Sequence, residues 1–568
     1  MKNLEVARAF LEIAGLLEVL GGDPFRIRAY RRAARSVETH QGDLEEMASQ
    51  GRLQEIPGVG KALSSKIQEV LESGTCRYLE ELREKVPVEV LQMMRIPGVG
   101  AKTAALIYRE MGIVGLDELE TAARARKLRD IPGLGEKKEE AIIKGIEALR
   151  RHGERVLLGI ALPVAEAMAG YLRSLPQAVD ARVAGSLRRM KESVKDIDLV
   201  VSSWDPLALM EGFVSMPGVK GVIRKGKTES TVATSVGNVD LRVVEPGQFP
   251  AALHHFTGSK EHNARLRGIA RKAGLGINEY GVFREDGEAL GIWTEGGIYH
   301  ALGMAYVPPE LREDLGEVEA ALDGHLPQLV GLEDIKGDLH IHSTWSDGVA
   351  TIGEMAEAAR ARGYQYLAIS DHTSSLKIAG GLDEEGLREQ AREIDGINEH
   401  MDSFRVLRGT EVDILASGRL DLSDAVLEDL DIVVASIHQG FSQPREVLTE
   451  RLEGALKNPH VDIIGHPTGR LIGRREPYPV DLERVLDLAS RTGTALEINA
   501  CPDRLDLKDE HARKAASQGV RIAINTDAHD ASALPDMRYG VGVARRAWLK
   551  PADILNTLDL EDLLDYLG

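Results

Sequence analysis

Apolar and polar positions alternate with different rhythms in different parts of the chain. Through the first ~150 residues apolar side chains recur at helical spacing, interrupted three times by one formula. The breaks read Ile56-Pro57-Gly58-Val59-Gly60-Lys61, Ile96-Pro97-Gly98-Val99-Gly100-Ala101-Lys102 and Ile131-Pro132-Gly133-Leu134-Gly135-Glu136-Lys137. Each precedes another helical pattern, so the form is helix, tight hairpin, helix. From residue 151 helices alternate with strands, among them Leu199-Val200-Val201 and the alternating Val239-Asp240-Leu241-Arg242-Val243-Val244. Beyond residue 336 short apolar runs such as Leu367-Ala368-Ile369, Ile432-Val433-Val434 and Ile522-Ala523-Ile524 are separated by helical segments. That alternation predicts a parallel β/α barrel.

These rhythms predict a multidomain α/β protein with the following divisions. Residues 1–80 and 81–150 form two helical hairpin domains, residues 151–245 an α/β domain, and residues 246–322 a smaller α/β unit. Residues 323–335, which follow an acidic, proline-bearing stretch from Tyr306, read as a linker, and 336–568 as the barrel. A chain of 568 residues has room for that many domains. Two cysteines, Cys76 and Cys501, exclude a disulfide framework. The N-terminal sequence lacks the pattern of a signal peptide, and no apolar run approaches the ~18 residues of a membrane span, so a cytoplasmic protein is expected; a monomer is expected separately.

Net charge is −20, which argues against a uniformly DNA-attracting surface. Its distribution changes that conclusion. Residues 1–330 carry 44 Lys+Arg against 47 Asp+Glu, while 331–568 carry 26 against 43. The acidity belongs to the barrel, and the first part can still present local basic sites.

Candidate chemistry lies in two places. Asp196 and Asp198 in Asp196-Ile197-Asp198 project from one strand face. Carboxylates that close repel unless cations sit between them, as in two-metal phosphoryl-transfer sites. Gly185-Ser186 and Arg188-Arg189 precede them as a turn able to meet a triphosphate, and Asp240 offers a third carboxylate. In the barrel region His340, His342, Asp347, His372, Glu411, His438, His466, Asp527 and His529 nearly all follow apolar β runs. Imidazoles and carboxylates gathered at strand C-termini favour a metal cluster that activates water for phosphoester hydrolysis. In the hairpins, glycines and helix-initial N–H groups suit contact with DNA phosphates.

Together Gly-Ser-x-Arg-Arg, Asp-x-Asp, the lone strand Asp240 and the segment His255-Phe256-Thr257-Gly258-Ser259 resemble the nucleotidyltransferase palm of the family X DNA polymerases. The resemblance implies magnesium on Asp196, Asp198 and Asp240, and a nucleotide pocket of Gly185, Ser186, Arg189, Phe256, Gly258 and Asn263. It places Arg267 on the template side. His255 and Asn238 depart from polymerase beta, which has Tyr and Arg there. The hairpins resemble helix-hairpin-helix DNA clamps, with Gly58, Gly60, Lys61, Gly98, Gly100 and Lys102 at the backbone. Lys66 stands where the family's lyase has its Schiff-base lysine.

Residues from 336 resemble the PHP domain, a distorted (β/α)7 barrel whose nine metal positions fall on the residues named above. Up to three ions, manganese or zinc, are implied. Both domains in this order resemble the bacterial and archaeal group of family X polymerases. That implies gapped or primer-template DNA and dNTPs as partners, gap filling in base excision repair, and 3′→5′ exonuclease with abasic-site cleavage. Three readings remain as alternatives: a DNA 3′-end nuclease or phosphatase, a gapped-DNA scaffold, and a small-molecule phosphatase.

Overall fold

Helix Lys2–Val19 buries Phe10, Ile13 and Leu16 completely, and packs against helix Pro24–Thr39. A computed structural model describes residues 2–39, 44–94, 96, 98–152 and 155–567. It separates into two compact units, residues 1–154 with 471–476, and residues 155–470 with 477–568.

The first unit is helical. Gly58, Gly98 and Gly133 adopt φ of 79°, 83° and 90°, the left-handed region that admits glycine most readily. Gly60 and Gly100 are N-caps of helices Lys61–Ser73 and Ala101–Met111 and offer no side-chain acceptor to the amides at those helix starts. Arg95 and Pro97 of the second hairpin lie outside the described residues. The third hairpin is built differently. Glu139 from its following helix is buried and accepts from the backbone N–H groups of Leu128 and Arg129, at 3.0 and 3.1 Å.

In the second unit a five-stranded sheet runs in the order Ala178–Val183, Ile197–Ser203, Gly237–Val244, Glu229–Thr234, Gly221–Lys225. Only Ile197–Ser203 and Gly237–Val244 are parallel, and their register sets Asp198 beside Asp240. The seven barrel strands follow chain order: Gly337–Ile341, Tyr366–Ile369, Arg405–Asp413, Ile432–Ser436, Ile463–Ile464, Ala495–Asn499 and Ile522–Asn525. All adjacent pairs are parallel. The amide of His342 donates to the Ala528 carbonyl at 2.9 Å, which brings the last strand's exit against the first. Continuous burial of six of the seven strands, all but Arg405–Asp413, explains the unbroken apolar runs.

The acidic stretch from Tyr306 is folded into the protein: Leu311, Val318 and Ala321 join a core with Leu266 and Tyr299. Within residues 323–335, read as a linker, Val330 is fully buried and its amide donates to the Leu549 carbonyl at 2.9 Å. Charged groups of the stretch take partners from other segments. Arg312, fully buried, donates to Glu295 Oε1 at 2.7 Å and to the Val307 carbonyl at 3.0 Å. Glu295 also takes Arg188 at 2.6 Å. Glu295→Ala would strand two guanidinium groups, one of them fully buried. It is expected to destabilise the fold by roughly 3–5 kcal/mol, read by urea unfolding, with Glu295→Gln losing less.

Candidate functional site

Asp198 and Asp240 are register partners on the parallel strand pair, and Thr231 on the next strand is Asp240's partner on its other side. The Thr231 hydroxyl donates to Asp240 Oδ1, fixing that carboxylate. Asp196 directly precedes its strand, near enough for its charge to act on Asp198. Burial, then the charges of Asp240 and Asp196, push the Asp198 carboxyl up to about 7. Carboxylates crowded without a counter-ion behave this way, and a divalent cation between them would reverse the shift. A cavity of about 100 Å³ opens between Asp198, Asp240, Arg224, Arg242 and Phe256. Arg242 lies over the Phe256 ring, 5.2 Å from its centroid.

Gly185 explains its own identity. Its φ is +64°, and a Cβ there would fall 2.0 Å from Asp198 Oδ2. Gly185→Ala is therefore expected to displace Asp198 and to cut the nucleotide insertion that the resemblance implies by on the order of a hundredfold in a primer-extension assay, with the implied degradation at the barrel unchanged.

Ser186 is half-buried in the short helix Gly185–Arg188. Arg189 donates to the Thr257 carbonyl at 2.7 Å and to Glu313 at 3.0 Å. Arg188, expected beside it at the triphosphate, is instead held bidentately by Glu295. Gly258 lies against Asn263, whose Oδ1 sits 2.6 Å from where a Cβ would be. The Asn263 amide donates to the His255 carbonyl at 2.7 Å. Arg267 is exposed on the same helix, Lys260–Lys272. Behind this wall lies a buried network absent from the sequence reading. Tyr299 Oη meets His254 and His262 at 3.1 and 3.0 Å, and His262 Nδ1 meets Glu317 at 2.6 Å.

In the helical unit Lys61 and Lys102 are exposed at their helix starts, next to Gly60 and Gly100. Lys66 bonds the Ala62 carbonyl at 3.2 Å, and its Nζ lies 5.4 Å from the Tyr78 ring centroid. Arg26 donates to Tyr78 Oη at 3.0 Å.

The barrel gathers all nine expected ligands. Glu411 is their centre: its oxygens lie 2.8 Å from His372 Nδ1, 2.9 Å from His466 Nε2, 3.2 Å from His438 Nε2, 3.5 Å from His340 Nε2 and 3.7 Å from His342 Nε2. Asp527 stands 3.2 Å from His342 Nε2, and Asp347 stands 3.2 Å from His529 Nε2. Three groupings have metal-holding geometry: His342, Asp347, His372 and His529; His340, His342 and Asp527; His372, Glu411 and His438. Buried ring nitrogens of His340, His342, His372, His438 and His466 lack hydrogen-bond partners, as does Glu411 Oε2. Orphaned donors and acceptors at this density fit bound cations.

The electrostatics keep Glu411 and His342 in their ligand forms and favour a proton on His438. Burial opposes charge on Glu411, yet His438, His340 and His372 hold its carboxyl well below the carboxylate range. Burial, with His529 and His372, drives His342 down to about 4. Burial disfavours charge on His438 as well, but Glu411 and Asp413 raise it to about 9. His466 and Asp527 sit at φ of 28° and 54°, so two candidate ligands hold strained backbone.

Sequence reasoning missed Glu497, fully buried within the strand Ala495–Asn499. It takes His340 Nδ1 at 2.8 Å and the His466 amide at 2.7 Å. That bond sets the His340 tautomer and leaves Nε2 for a ligand. The signal was one acid inside an apolar strand run. Asp371 accepts from Ser343 Oγ and Gln390, both at 2.6 Å, and shapes the loop bearing Asp347. Arg504 lies 3.5 Å from Asp527.

Comparison with known proteins matches this architecture. Residues 1–76 match a helix-hairpin-helix domain, 90–148 a SAM-like helix-hairpin-helix tandem, 252–313 the DNA polymerase beta thumb, and 338–501 the PHP domain. The DNA polymerase/3′-5′ exonuclease PolX of Bacillus subtilis is 43% identical over 100% of this chain and 99% of its own. Human DNA-directed DNA/RNA polymerase mu is 27% identical over 53% of this chain and 67% of its own. A probable phosphatase of Thermoanaerobacter sp. is 34% identical over 40% of this chain and 93% of its own. A whole-length match at that identity, with hairpin, thumb and PHP segments in order, shows that the chain belongs to the family X DNA polymerases with a C-terminal PHP domain.

Proposed function

We propose that the chain adds deoxynucleotides to DNA 3′ ends at the palm and removes them at the barrel, filling short gaps in base excision repair. The observation that carries this is two separate acidic centres in one chain: Asp198 beside Asp240 with a cavity at their side, and the nine-residue barrel cluster. Asp196, Asp198 and Asp240 would hold two magnesium ions, and the barrel cluster up to three manganese or zinc ions. Bound divalent cations supply positive charge to a reacting phosphate and make a hydroxyl or water more acidic.

The chain's own groups do the rest. Ser186 and Arg189 grip the β- and γ-phosphates, Arg189 exchanging Glu313 for phosphate oxygens. Phe256 and Gly258 border the sugar, Asn263 offers its amide to the base, and Arg267 neutralises the template side. The uncapped helix starts at Gly60 and Gly100, with Lys61 and Lys102 and the glycines Gly58 and Gly98, take DNA phosphates without reading sequence. Lys66, held over Tyr78, is a candidate lyase nucleophile. In the barrel, Glu497 orients His340. No helix among the described residues is long and apolar enough to cross a membrane. We place the protein in the cytoplasm as a monomer, with an abasic-site cleavage activity at the barrel.

One-nucleotide-gapped DNA with all four dNTPs and magnesium or manganese tests the reading. Extension by one nucleotide, together with 3′ shortening when dNTPs are withheld, is the expected result. Shortening alone would favour the nuclease alternative, and binding without turnover the scaffold.

A further inference from the structure

The palm loop that carries Ser186 and Arg189 is seated on the barrel domain. Helix Met537–Arg546, which follows the last barrel strand, ends in a buried arginine. Arg546 Nη1 donates to the Arg189 carbonyl at 2.9 Å and to Glu313 Oε1 at 3.0 Å. Its Nε donates to Asp509 Oδ2 at 2.9 Å, and Nη2 lies 2.8 Å from the same oxygen. Asp509 begins the barrel helix Asp509–Ser517, so the guanidinium is anchored on one domain and spends its free donor on the other. Glu313 is shared: it also takes Arg189 Nε at 3.0 Å and Lys191 Nζ at 3.1 Å.

One turn earlier on the same helix, Gly542 makes room for Met190. A Cβ built on Gly542 would lie 2.5 Å from Met190 Cε and 3.2 Å from Met190 Cβ. Met190 itself holds φ of 55°, a conformation a non-glycine residue keeps only when its surroundings over-determine it. The residue after Arg189 is thus strained and pressed against the barrel, and the carbonyl of Arg189 is tied to it.

We propose that Arg546 is a positioning residue for dNTP binding, reaching from the exonuclease domain to hold the triphosphate loop and to share Glu313 with Arg189. The inference rests on the assignment of Ser186 and Arg189 to the triphosphate. Two consequences follow from removing Arg546. The Arg189 carbonyl loses its donor, so the strained turn can relax and Ser186 shift. Glu313 loses one of three cations, and what remains of its charge holds Arg189 more tightly, away from phosphate. Both weaken ground-state binding of the nucleotide and leave the carboxylates of the reaction in place.

Full-length Arg546→Ala, Arg546→Lys and Gly542→Leu decide the matter. Single-nucleotide insertion into gapped DNA is measured across dNTP concentration, and 3′→5′ degradation is measured on the same preparations. For Arg546→Ala the KM for dNTP is expected to rise about tenfold with kcat changed less than threefold and degradation unchanged. Lysine, which can reach one acceptor, should recover part of the loss. An unchanged KM, or a fall in kcat alone, overturns the proposal. Should alanine abolish both activities together, Gly542→Leu carries the test, and an unchanged dNTP KM there overturns it. A wild-type protein that inserts no nucleotide overturns the palm assignment itself, before any variant is compared.

Discussion

Asp198→Asn should abolish nucleotide insertion, by on the order of a thousandfold or more, and at the same time stabilise the cation-free protein. The loss follows because Asp198 is the carboxylate common to its two acidic neighbours, and an amide cannot serve as an anionic ligand. The gain follows from linkage. Burial, then Asp240 and Asp196, lift the Asp198 carboxyl to about 7, against about 4 in an unfolded chain. A raised carboxyl means that the folded state holds a proton the unfolded state has released, so the charged group disfavours folding. The penalty is absent below pH 4, grows between pH 4 and 7, and is complete above pH 7. With chelator present, Asp198→Asn is expected to unfold at higher urea than wild type at pH 8, by about 2–4 kcal/mol, and equally at pH 4. Equal stability at pH 8 would mean that the carboxylates are not crowded as described. Degradation at the barrel should be untouched.

Glu411→Gln should do the reverse. Five imidazoles converge on this one buried carboxylate, within 2.8 to 3.7 Å. Replacing it removes the negative charge of the candidate grouping His372, Glu411 and His438 and leaves those rings facing a neutral amide. Exonuclease activity is expected to fall on the order of a thousandfold, and bound metal counted by elemental analysis should drop by one or more ions per chain. Insertion into gapped DNA should stay within a factor of two or three of wild type. His342→Ala, which touches two of the three metal groupings, should behave alike. If either variant lost insertion as well, with the fold intact, the two reactions could not be assigned to separate centres.

The barrel was readable because its chemistry sits at a repeated topological place. Several strands are short apolar runs with a ligand within three residues of the end, as His372 follows Tyr366–Ile369 and His438 follows Ile432–Ser436. The palm was readable because Asp196 and Asp198 are two residues apart and Asp240 stands in a clean alternation. What could not be read are groups whose partners are remote. Arg546 and Arg189 are separated by 357 positions, and His340 and Glu497 by 157. Glu295 meets Arg188 across 107 positions, and Glu317 meets His262 across 55.

The chain enters the barrel almost where it leaves it. The Lys336 amide donates to the Asn556 carbonyl at 2.7 Å, and the Asn556 side chain donates to the Gly337 carbonyl at 3.0 Å. With strands in unbroken chain order between those points, such a cylinder can be spliced onto or out of a gene without re-threading anything. The probable phosphatase of Thermoanaerobacter sp., 93% of whose length aligns with 40% of this chain, has the extent that such portability allows.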